Sequence, residues 1–148
     1  MGHKRILVPM DGSENSMQAA EWAINLAQAC EAELEFLYVV NLKGELLRPT
    51  VLDRHTSILE DAIDLGKRLL DTALDLVPIS IKARGHCVSG DADETILKEV
   101  QALSCDMIVM GSRGIGAIHA AILGSVSGYI LEHAKCPVVM IKAEQKEK

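Results

Sequence analysis

The segment Met110-Gly-Ser-Arg-Gly-Ile-Gly-Ala-Ile-His-Ala-Ala-Ile-Leu-Gly-Ser-Val-Ser127 lies between an apolar run and a helical pattern. We call residues 110–127 the glycine segment. The apolar run before it is typical of a strand, and a helix is predicted from residue 125. The glycines let a backbone approach a ligand closely, and the first turn of the helix offers free N–H groups to an anion. The segment therefore predicts a phosphate-binding loop in a strand–loop–helix unit.

Other interpretations of the glycine segment compete with a phosphate loop. The glycine spacing alone is also compatible with ordinary turns. Residues 114–131 carry no formal charge, but they are barely enough for a membrane span and include His119 and Ser125, so no membrane contact is expected. A Walker A loop is excluded because no lysine follows the glycines. A dinucleotide fingerprint is excluded because His119 stands where its third glycine belongs.

Composition predicts one domain and argues against several function classes. The chain has 148 residues and a net charge of −6, and its only basic cluster is His3-Lys-Arg5, so no nucleic-acid surface is expected. Lys4 and Arg5 lead directly into a strand, which indicates no signal peptide. Cysteines with apolar neighbours and no zinc spacing predict buried thiols in a reducing cytoplasm. These cysteines are Cys30, Cys87, Cys105 and Cys136.

Hydrophobic periodicity predicts strands that alternate with helices. Strands are predicted over residues 5–10, 34–40, 79–88, 106–110 and 137–142, and residues 41–55 are expected to be irregular. One helix is expected to follow a cap at Ser13 or Ser16 and end near residue 30, and the others to span 56–76, begin at a capping box at Asp91, and span 125–134. The first helix is expected to bury Ala19, Ala23, Leu26 and Cys30. Residues 89–90 are predicted to turn the chain. This alternation predicts a single α/β domain with a doubly wound, five-stranded parallel sheet.

Two strand ends in this layout carry candidate chemistry. Ligands of doubly wound sheets bind beyond the carboxyl ends of strands, where the strand order reverses. Pro9, Met10 and Asp11 end the first strand, and the glycine segment follows the fourth. If these strands are neighbours, the Asp11 carboxylate faces the loop and can bind ribose hydroxyls or a divalent cation on the phosphates. Taken alone, Asp11 is better explained as a turn or cap residue.

The ordered set of motifs resembles the universal stress protein family over nearly the full chain. Residues 4–13 resemble the opening strand of the family, residues 37–40 the end of its second strand, and residues 136–142 its final strand. Gly111, Gly114, Gly124 and Ser125 fit the nucleotide motif of the family: Gly, two residues, Gly, nine residues, Gly, then Ser or Thr. The resemblance implies one universal stress protein domain over residues 1–148, an adenine nucleotide α-hydrolase-like fold, and the subgroup that binds ATP.

The resemblance also implies which residues bind ATP, or AMP or ADP, with Mg²⁺. The Val39 backbone is expected to read the adenine edge, and Asp11 to contact the ribose or nucleotide-bound Mg²⁺. Pro9 and Met10 are expected to shape the floor of the crevice. The implied set also includes Met110, Gly111, Arg113, Gly114, Gly124, Ser125, Val126 and Ser127, the last four holding phosphate oxygens by backbone N–H groups and hydroxyls. Many family members carry basic residues where this chain has His119-Ala-Ala121, so AMP and ADP are expected to compete better with ATP.

These features predict a cytoplasmic, ATP-binding stress-response protein whose conformation depends on nucleotide. One alternative is a slow ATP hydrolase, although the chain shows no evident base, no P-loop lysine and no arginine finger other than Arg113. Another is a nucleotide-independent dimeric module, because the family commonly pairs through its last strand and the apolar edge Val138–Ile141 needs cover. A phospho-accepting receiver is a weaker alternative, because Asp11 stands alone where such a protein has an acidic pair after its first strand, and residues 86–90 contain no Asp.

Overall fold

The computed structural model describes residues 4–41, 55–113 and 123–143. Within these residues, strands alternate with helices in the order β1 Arg5–Met10, α1 Glu14–Cys30, β2 Glu33–Asn41, α2 His55–Asp75, β3 Ala83–Gly90, α3 Ala92–Ala102, β4 Met107–Gly111, α4 Ser125–His133 and β5 Val138–Ile141. The predictions for residues 42–54, for the tail from residue 144, and for Gly114, Gly116 and His119 concern residues outside the described part of the chain.

The five strands form one parallel sheet in the order β3-β2-β1-β4-β5. From β1 the chain adds β2 and β3 on one side, and it then returns to add β4 and β5 on the other. The order therefore reverses between β1 and β4. This topology confirms the prediction of an α/β fold with a doubly wound, five-stranded parallel sheet.

An apolar layer covers each face of the sheet, because successive side chains of a strand point to opposite faces. On one face, α1 and α2 pack against the sheet, and the fully buried Phe36 lies in this layer together with Ala23 and Leu70. On the other face, α3 and α4 contribute Ile96 and Ile130. The two layers fix the sheet between two pairs of helices and leave its carboxyl end for the loops.

Helix α1 begins as predicted, and the face that it buries overlaps the predicted one without including Cys30. Ser13 is its N-cap, and the Ser13 hydroxyl accepts a hydrogen bond from the Ser16 N–H at 3.1 Å. Ala19 and Ala23 are buried as expected, and the half-buried Leu26 packs against the core, whereas the expectation for Cys30 is wrong because its side chain is exposed. Small side chains turn to the sheet instead and let the helix lie close to it. The buried residues of α1 are Asn15, Ser16, Ala19, Ala20, Ala23, Ile24 and Ala27.

Burial of the other thiols also differs from the prediction. Cys105 is buried, as expected, and burial raises the pKa of its thiol to about 12. Cys87 and Cys136 are only half-buried. Their pKa values are raised above the ordinary thiol value, mainly by desolvation. The expectation of four buried thiols therefore holds for Cys105 alone.

Strand β3 begins four residues later than predicted. Pro78 begins a turn in which the Ile81 N–H donates to the Pro78 carbonyl at 3.0 Å. Ile79, which the apolar pattern assigned to the strand, is fully exposed in this turn. The pattern was wrong here because a proline-initiated turn overrides the β propensity of an isolated isoleucine.

The end of β3 and the start of α3 differ from the predicted turn and capping box. Residues 89–90 belong to β3 and pair with the end of β2. Gly90 has a φ of 151°, and a Cβ at this position would collide with Thr95 Oγ1. Asp91 is the N-cap of α3, but its side chain makes no capping hydrogen bond. The Asp91 carbonyl accepts the first backbone hydrogen bond of the helix, from the Thr95 N–H at 2.8 Å.

Candidate functional site

A cavity of about 390 Å³ lies at the carboxyl end of the sheet, where β1 and β4 are neighbours and the strand order reverses. This volume is typical of a small-molecule site. The cavity is lined by Pro9, Met10, Asp11, Ser16, Leu37, Val39, Ala92, Ile96, Met110, Gly111, Arg113, Gly124, Ser125, Val126 and Ser127.

The cavity gathers the predicted site residues from three distant parts of the sequence. Every member of the predicted set that the structure describes lines it, including Asp11 after β1, Val39 in β2 and Ser127 in α4. Gly114 lies outside the described residues. The structure thus satisfies the condition that Asp11 and the described residues of the glycine segment face one crevice, while their contact with a nucleotide stays a prediction.

Four lining residues were not predicted: Ser16, Leu37, Ala92 and Ile96. Leu37 lies two residues before Val39, so the twofold period of a strand could have identified it. Ala92 and Ile96 lie one turn apart in α3, which packs beside β2. No local pattern shows where α3 packs, because that depends on the strand order.

The strand order gives the cavity two chemically different sides. On the β2 side of β1, the lining includes the buried apolar side chains of Leu37 and Ile96, together with Val39. On the β4 side, the described lining consists of Met110, Gly111 and Arg113, together with Gly124 and the first turn of α4. An apolar side next to a side rich in N–H donors suits a ligand with a flat apolar part and an anionic part.

The first turn of α4 is fixed to Ser112, the residue that directly follows β4. Gly124 is the N-cap, and its N–H donates to the Ser112 carbonyl at 2.9 Å. The Ser127 hydroxyl donates to the same carbonyl at 2.7 Å. Because a hydroxyl has one proton, Ser127 is left to meet an anion through its backbone N–H rather than through its hydroxyl. The backbone N–H groups of Ser125, Val126 and Ser127 form the helical turn that has no intrahelical acceptor.

Asp11 closes the loop after β1 and lines the cavity at the same time. Its Oδ1 accepts hydrogen bonds from both the N–H and the hydroxyl of Ser13, the former at 2.8 Å. Ser16 Oγ donates to the Ser13 carbonyl at 2.8 Å, which completes the turn. Asp11 therefore stabilises the turn, as its simpler interpretation predicted, and it also lies in the cavity wall.

Arg113 supplies positive charge to the cavity lining. Among the described residues, its Nε is a buried side-chain nitrogen without a hydrogen-bond partner. A buried donor without a partner is costly, and an anion placed beside it would remove that cost. Asp11 is the acidic side chain of the same lining. Burial raises the pKa of Tyr38, and the nearby Cys87 and Asp11 raise it further.

Comparison with known proteins agrees with the resemblance seen in the sequence. The model of the universal stress protein family matches residues 2–142. A universal stress protein of Methanocaldococcus jannaschii is 28% identical over 147 residues, which cover 98% of this chain and 85% of the relative. A universal stress protein of Bacillus subtilis is 28% identical over 145 residues, which cover 93% of this chain and 98% of the relative.

Solved structures share the fold. The universal stress protein UspA from Lactobacillus plantarum superposes with a TM-score of 0.78 at 27% identity, over 95% of this chain and 99% of that chain. An Arabidopsis thaliana family member, solved with AMP bound, has a TM-score of 0.65 at 23% identity over 95% and 92%. A universal stress protein in complex with cAMP has a TM-score of 0.64 at 19% identity over 95% and 98%. The last two likenesses establish the fold alone.

No helix in the described part of the chain is both long enough and apolar enough to cross a bilayer.

Proposed function

The chain belongs to the universal stress protein family, and from this premise we propose that it binds an adenine nucleotide, in the first place ATP, in the cavity between β1 and β4. The nucleotide sets the conformation of the glycine segment and hence the surface that the protein presents to partners. In this proposal the chain is a cytoplasmic regulatory protein of the stress response rather than an enzyme.

The observation that carries the proposal is the β4 side of the cavity, where positive charge and free N–H donors can bind an anion. Arg113 has a buried Nε without a partner in the described part of the chain, and the first turn of α4 lines the same cavity. A guanidinium and a helix N-terminus are two independent sources of charge-assisted hydrogen bonds to a phosphate. The glycine at the N-cap, Gly124, leaves the backbone open to the phosphate oxygens.

The apolar side of the cavity supports an adenine base. Leu37 and Ile96 provide flat apolar contact, and the Val39 backbone supplies hydrogen-bonding groups that can read the edge of the base. Family members solved with AMP and with cAMP contain the same base, which makes adenine the natural choice for this chain. Pro9 and Met10 then form the floor below the ribose.

Asp11 fits a role toward the ribose or toward nucleotide-bound Mg²⁺. It lies at the carboxyl end of β1, and Ser13 engages Oδ1 of its carboxylate. Carboxylate oxygens are preferred ligands of Mg²⁺, which usually binds through one or two carboxylates together with substrate phosphates. When bound, the ion would neutralise phosphate charge that the chain itself leaves uncompensated.

The charge of the glycine segment indicates how well the chain can bind nucleotides with one, two or three phosphates. Arg113 is its only arginine or lysine, and His119 is its only histidine. With so little fixed positive charge, a triphosphate depends on Mg²⁺ for compensation, whereas AMP needs little more than Arg113 and the helix terminus. We therefore expect AMP and ADP to compete effectively with ATP when Mg²⁺ is absent.

The nucleotide content of freshly purified protein, followed by titration with ATP, ADP and AMP with and without Mg²⁺, tests the proposal. Gly124→Val should abolish binding, because the branched side chain covers the phosphate path while the N-cap φ of −63° and ψ of 160° accept valine. Isothermal titration calorimetry gives the affinity, and phosphate release at background level during binding agrees with a non-enzymatic role.

Gly128→Val is the matched control for Gly124→Val. It introduces the same side chain one turn later in α4, where an added Cβ has no neighbouring atom within 4 Å. We expect this variant to bind nucleotide like the wild type. Normal binding by Gly124→Val, or equal loss in both variants, would contradict the phosphate assignment of the glycine segment.

The proposal includes a homodimer formed through Val138–Ile141. Strand β5 ends the sheet order and pairs with β4 on one side. Its other edge presents backbone groups that a second copy of the strand can pair with. Such an edge also supports the alternative of a dimeric module that ignores nucleotide, and the titration distinguishes the two.

A further inference from the structure

Asn15 is a buried polar residue of α1 that the proposed nucleotide contacts do not use. It is only 6% exposed. Its Oδ1 accepts a hydrogen bond from the Arg113 N–H at 2.9 Å, and its Nδ2 donates to the Ile141 carbonyl at 3.0 Å. Nδ2 also lies 3.4 Å from Gln18 Oε1. One side chain thus joins α1, the segment after β4 and the end of β5.

The same side chain accounts for the glycine at position 111. A Cβ on Gly111 would collide with Oδ1 and Cγ of Asn15. The missing side chain therefore gives Asn15 the room to reach Arg113. This packing reason is separate from the close ligand approach for which the sequence pattern suggested a glycine.

The Ile141 carbonyl is a shared anchor for this arrangement. It accepts the Ser112 N–H at 3.0 Å as well as Asn15 Nδ2 at 3.0 Å. A carbonyl oxygen has two lone pairs, so these two donors saturate it. Ser112 is held to β5 directly, whereas the next residue, Arg113, is held through Asn15.

We propose that Asn15 is a positioning residue, which fixes the backbone of Arg113 so that its guanidinium enters the cavity from a defined point. The ligand-binding consequence rests on the proposed function, in which Arg113 meets a phosphate. The side-chain amide matches this task because it offers an acceptor to Arg113 and a donor to Ile141 in one group. Alanine keeps neither bond, and aspartate keeps only the acceptor.

Amide hydrogen exchange measured by NMR tests the positioning role without any nucleotide. In Asn15→Ala, the Arg113 amide should exchange about tenfold faster, since loss of one hydrogen bond changes the opening equilibrium by roughly that factor. The Ser112 amide is the internal reference, because its bond to Ile141 does not involve Asn15. Asn15→Asp should keep most of the Arg113 protection. Equal acceleration of both amides in Asn15→Ala would overturn the inference.

A matched variant separates positioning from general destabilisation. Ala27→Gly lies at the other end of α1, is buried, and does not line the cavity. It should accelerate the Ser112 and Arg113 amides by the same factor. A selective effect on Arg113 in this variant would show that any weakening of α1 releases the segment, and would remove the special role of Asn15.

A double-mutant cycle measured by ATP titration then tests the link to the ligand. Asn15→Ala should weaken ATP binding about tenfold in the wild type, but less than about twofold in Arg113→Ala, because a residue that acts through Arg113 loses its effect when the guanidinium is gone. Equal loss in both backgrounds would overturn the positioning role. If the wild type binds no adenine nucleotide, the proposed function fails, and the exchange experiment still decides the role of Asn15.

Discussion

Among the single residues, Glu35 shows how a buried charge can interrupt an apolar strand. Glu35 is fully buried in β2, and its two oxygens face Arg84 Nε at 3.1 Å and His86 Nε2 at 2.6 Å. Arg84 stands opposite Glu35 in the register of β2 and β3, and His86 follows two residues later on the same face. The carboxylate is thus held by partners from the neighbouring strand, as a buried charge requires.

We expect Glu35→Gln to lower the free energy of unfolding by about 2 to 3 kcal/mol, because the amide cannot balance the charge of Arg84. The loss stays below that of a fully buried pair, since the Arg84 side chain is 45% exposed and can turn to water. Urea unfolding followed by circular dichroism measures the difference.

The exposed Glu21 on α1 provides the control for this prediction. Glu21→Gln makes the same chemical change and should alter the free energy of unfolding by less than about 0.5 kcal/mol. Indistinguishable unfolding curves for the two variants would mean that the Glu35 network contributes no net stability.

Individual residues differ in how readily the sequence predicts their roles. Asp11 and Gly124 were predicted because each belongs to a local motif whose chemistry can be read over a few neighbours. Asn15 and Glu35 were not, because their partners lie far away in the sequence, Ile141 being 126 positions from Asn15. A side chain that bonds across strands gives no local signal, and only the strand order and register place its partner beside it.

At the scale of elements, the start of α4 combines two serines with different functions. The Ser127 hydroxyl is buried and bonds to the Ser112 carbonyl, whereas Ser125 is exposed and lines the cavity. Ser127→Ala should therefore lower the free energy of unfolding by about 1 to 2 kcal/mol, because it leaves a buried carbonyl with one donor fewer. Ser125→Ala should change it by less than about 0.5 kcal/mol. Urea unfolding of both variants measures these differences. Equal losses of unfolding free energy in the two variants would contradict the different roles of the two serines.

Element existence was predictable, but several boundaries were not. The alternation of apolar runs and helical patterns predicted all five strands and four helices that the structure describes. The start of β3 was missed because the turn at Pro78 leaves Ile79 in solvent. The end of β3 was missed because Gly90 belongs to the strand and not to a turn. Turn geometry of this kind depends on tertiary packing, which periodicity does not encode.

At the scale of the whole molecule, the strand order creates the candidate site. Alternating elements predict a parallel sheet, but they do not state that β1 and β4 are neighbours. Only this adjacency brings Asp11 and Arg113 to one cavity and places the apolar residues of β2 on its opposite side. The sequence could therefore predict both halves of the site and the condition that joins them, while the apolar contribution of α3 required the three-dimensional arrangement.

The edge strand β5 leads to a prediction about assembly. If two copies pair through Val138–Ile141, Val139→Lys should convert a dimer into a monomer, because a lysine in an edge strand opposes edge-to-edge pairing. Val139 is half-buried against the core of its own subunit, so the fold of the variant has to be measured together with its mass. Size-exclusion chromatography with light scattering measures the mass, and circular dichroism checks that the variant folds. Leu65→Lys is the control: it replaces another apolar residue, 48% exposed on α2, and α2 packs against β2 and β3 at the far side of the sheet.

The net charge of the chain makes this comparison informative. Each copy carries a formal charge of −6, and both variants change it by the same single positive charge. General repulsion between acidic chains therefore falls equally in both, and it cannot explain a monomer in Val139→Lys alone. Dimers of unchanged mass in both variants would place the interface away from β5, and a monomeric wild type would leave the exposed edge of this strand to a different partner.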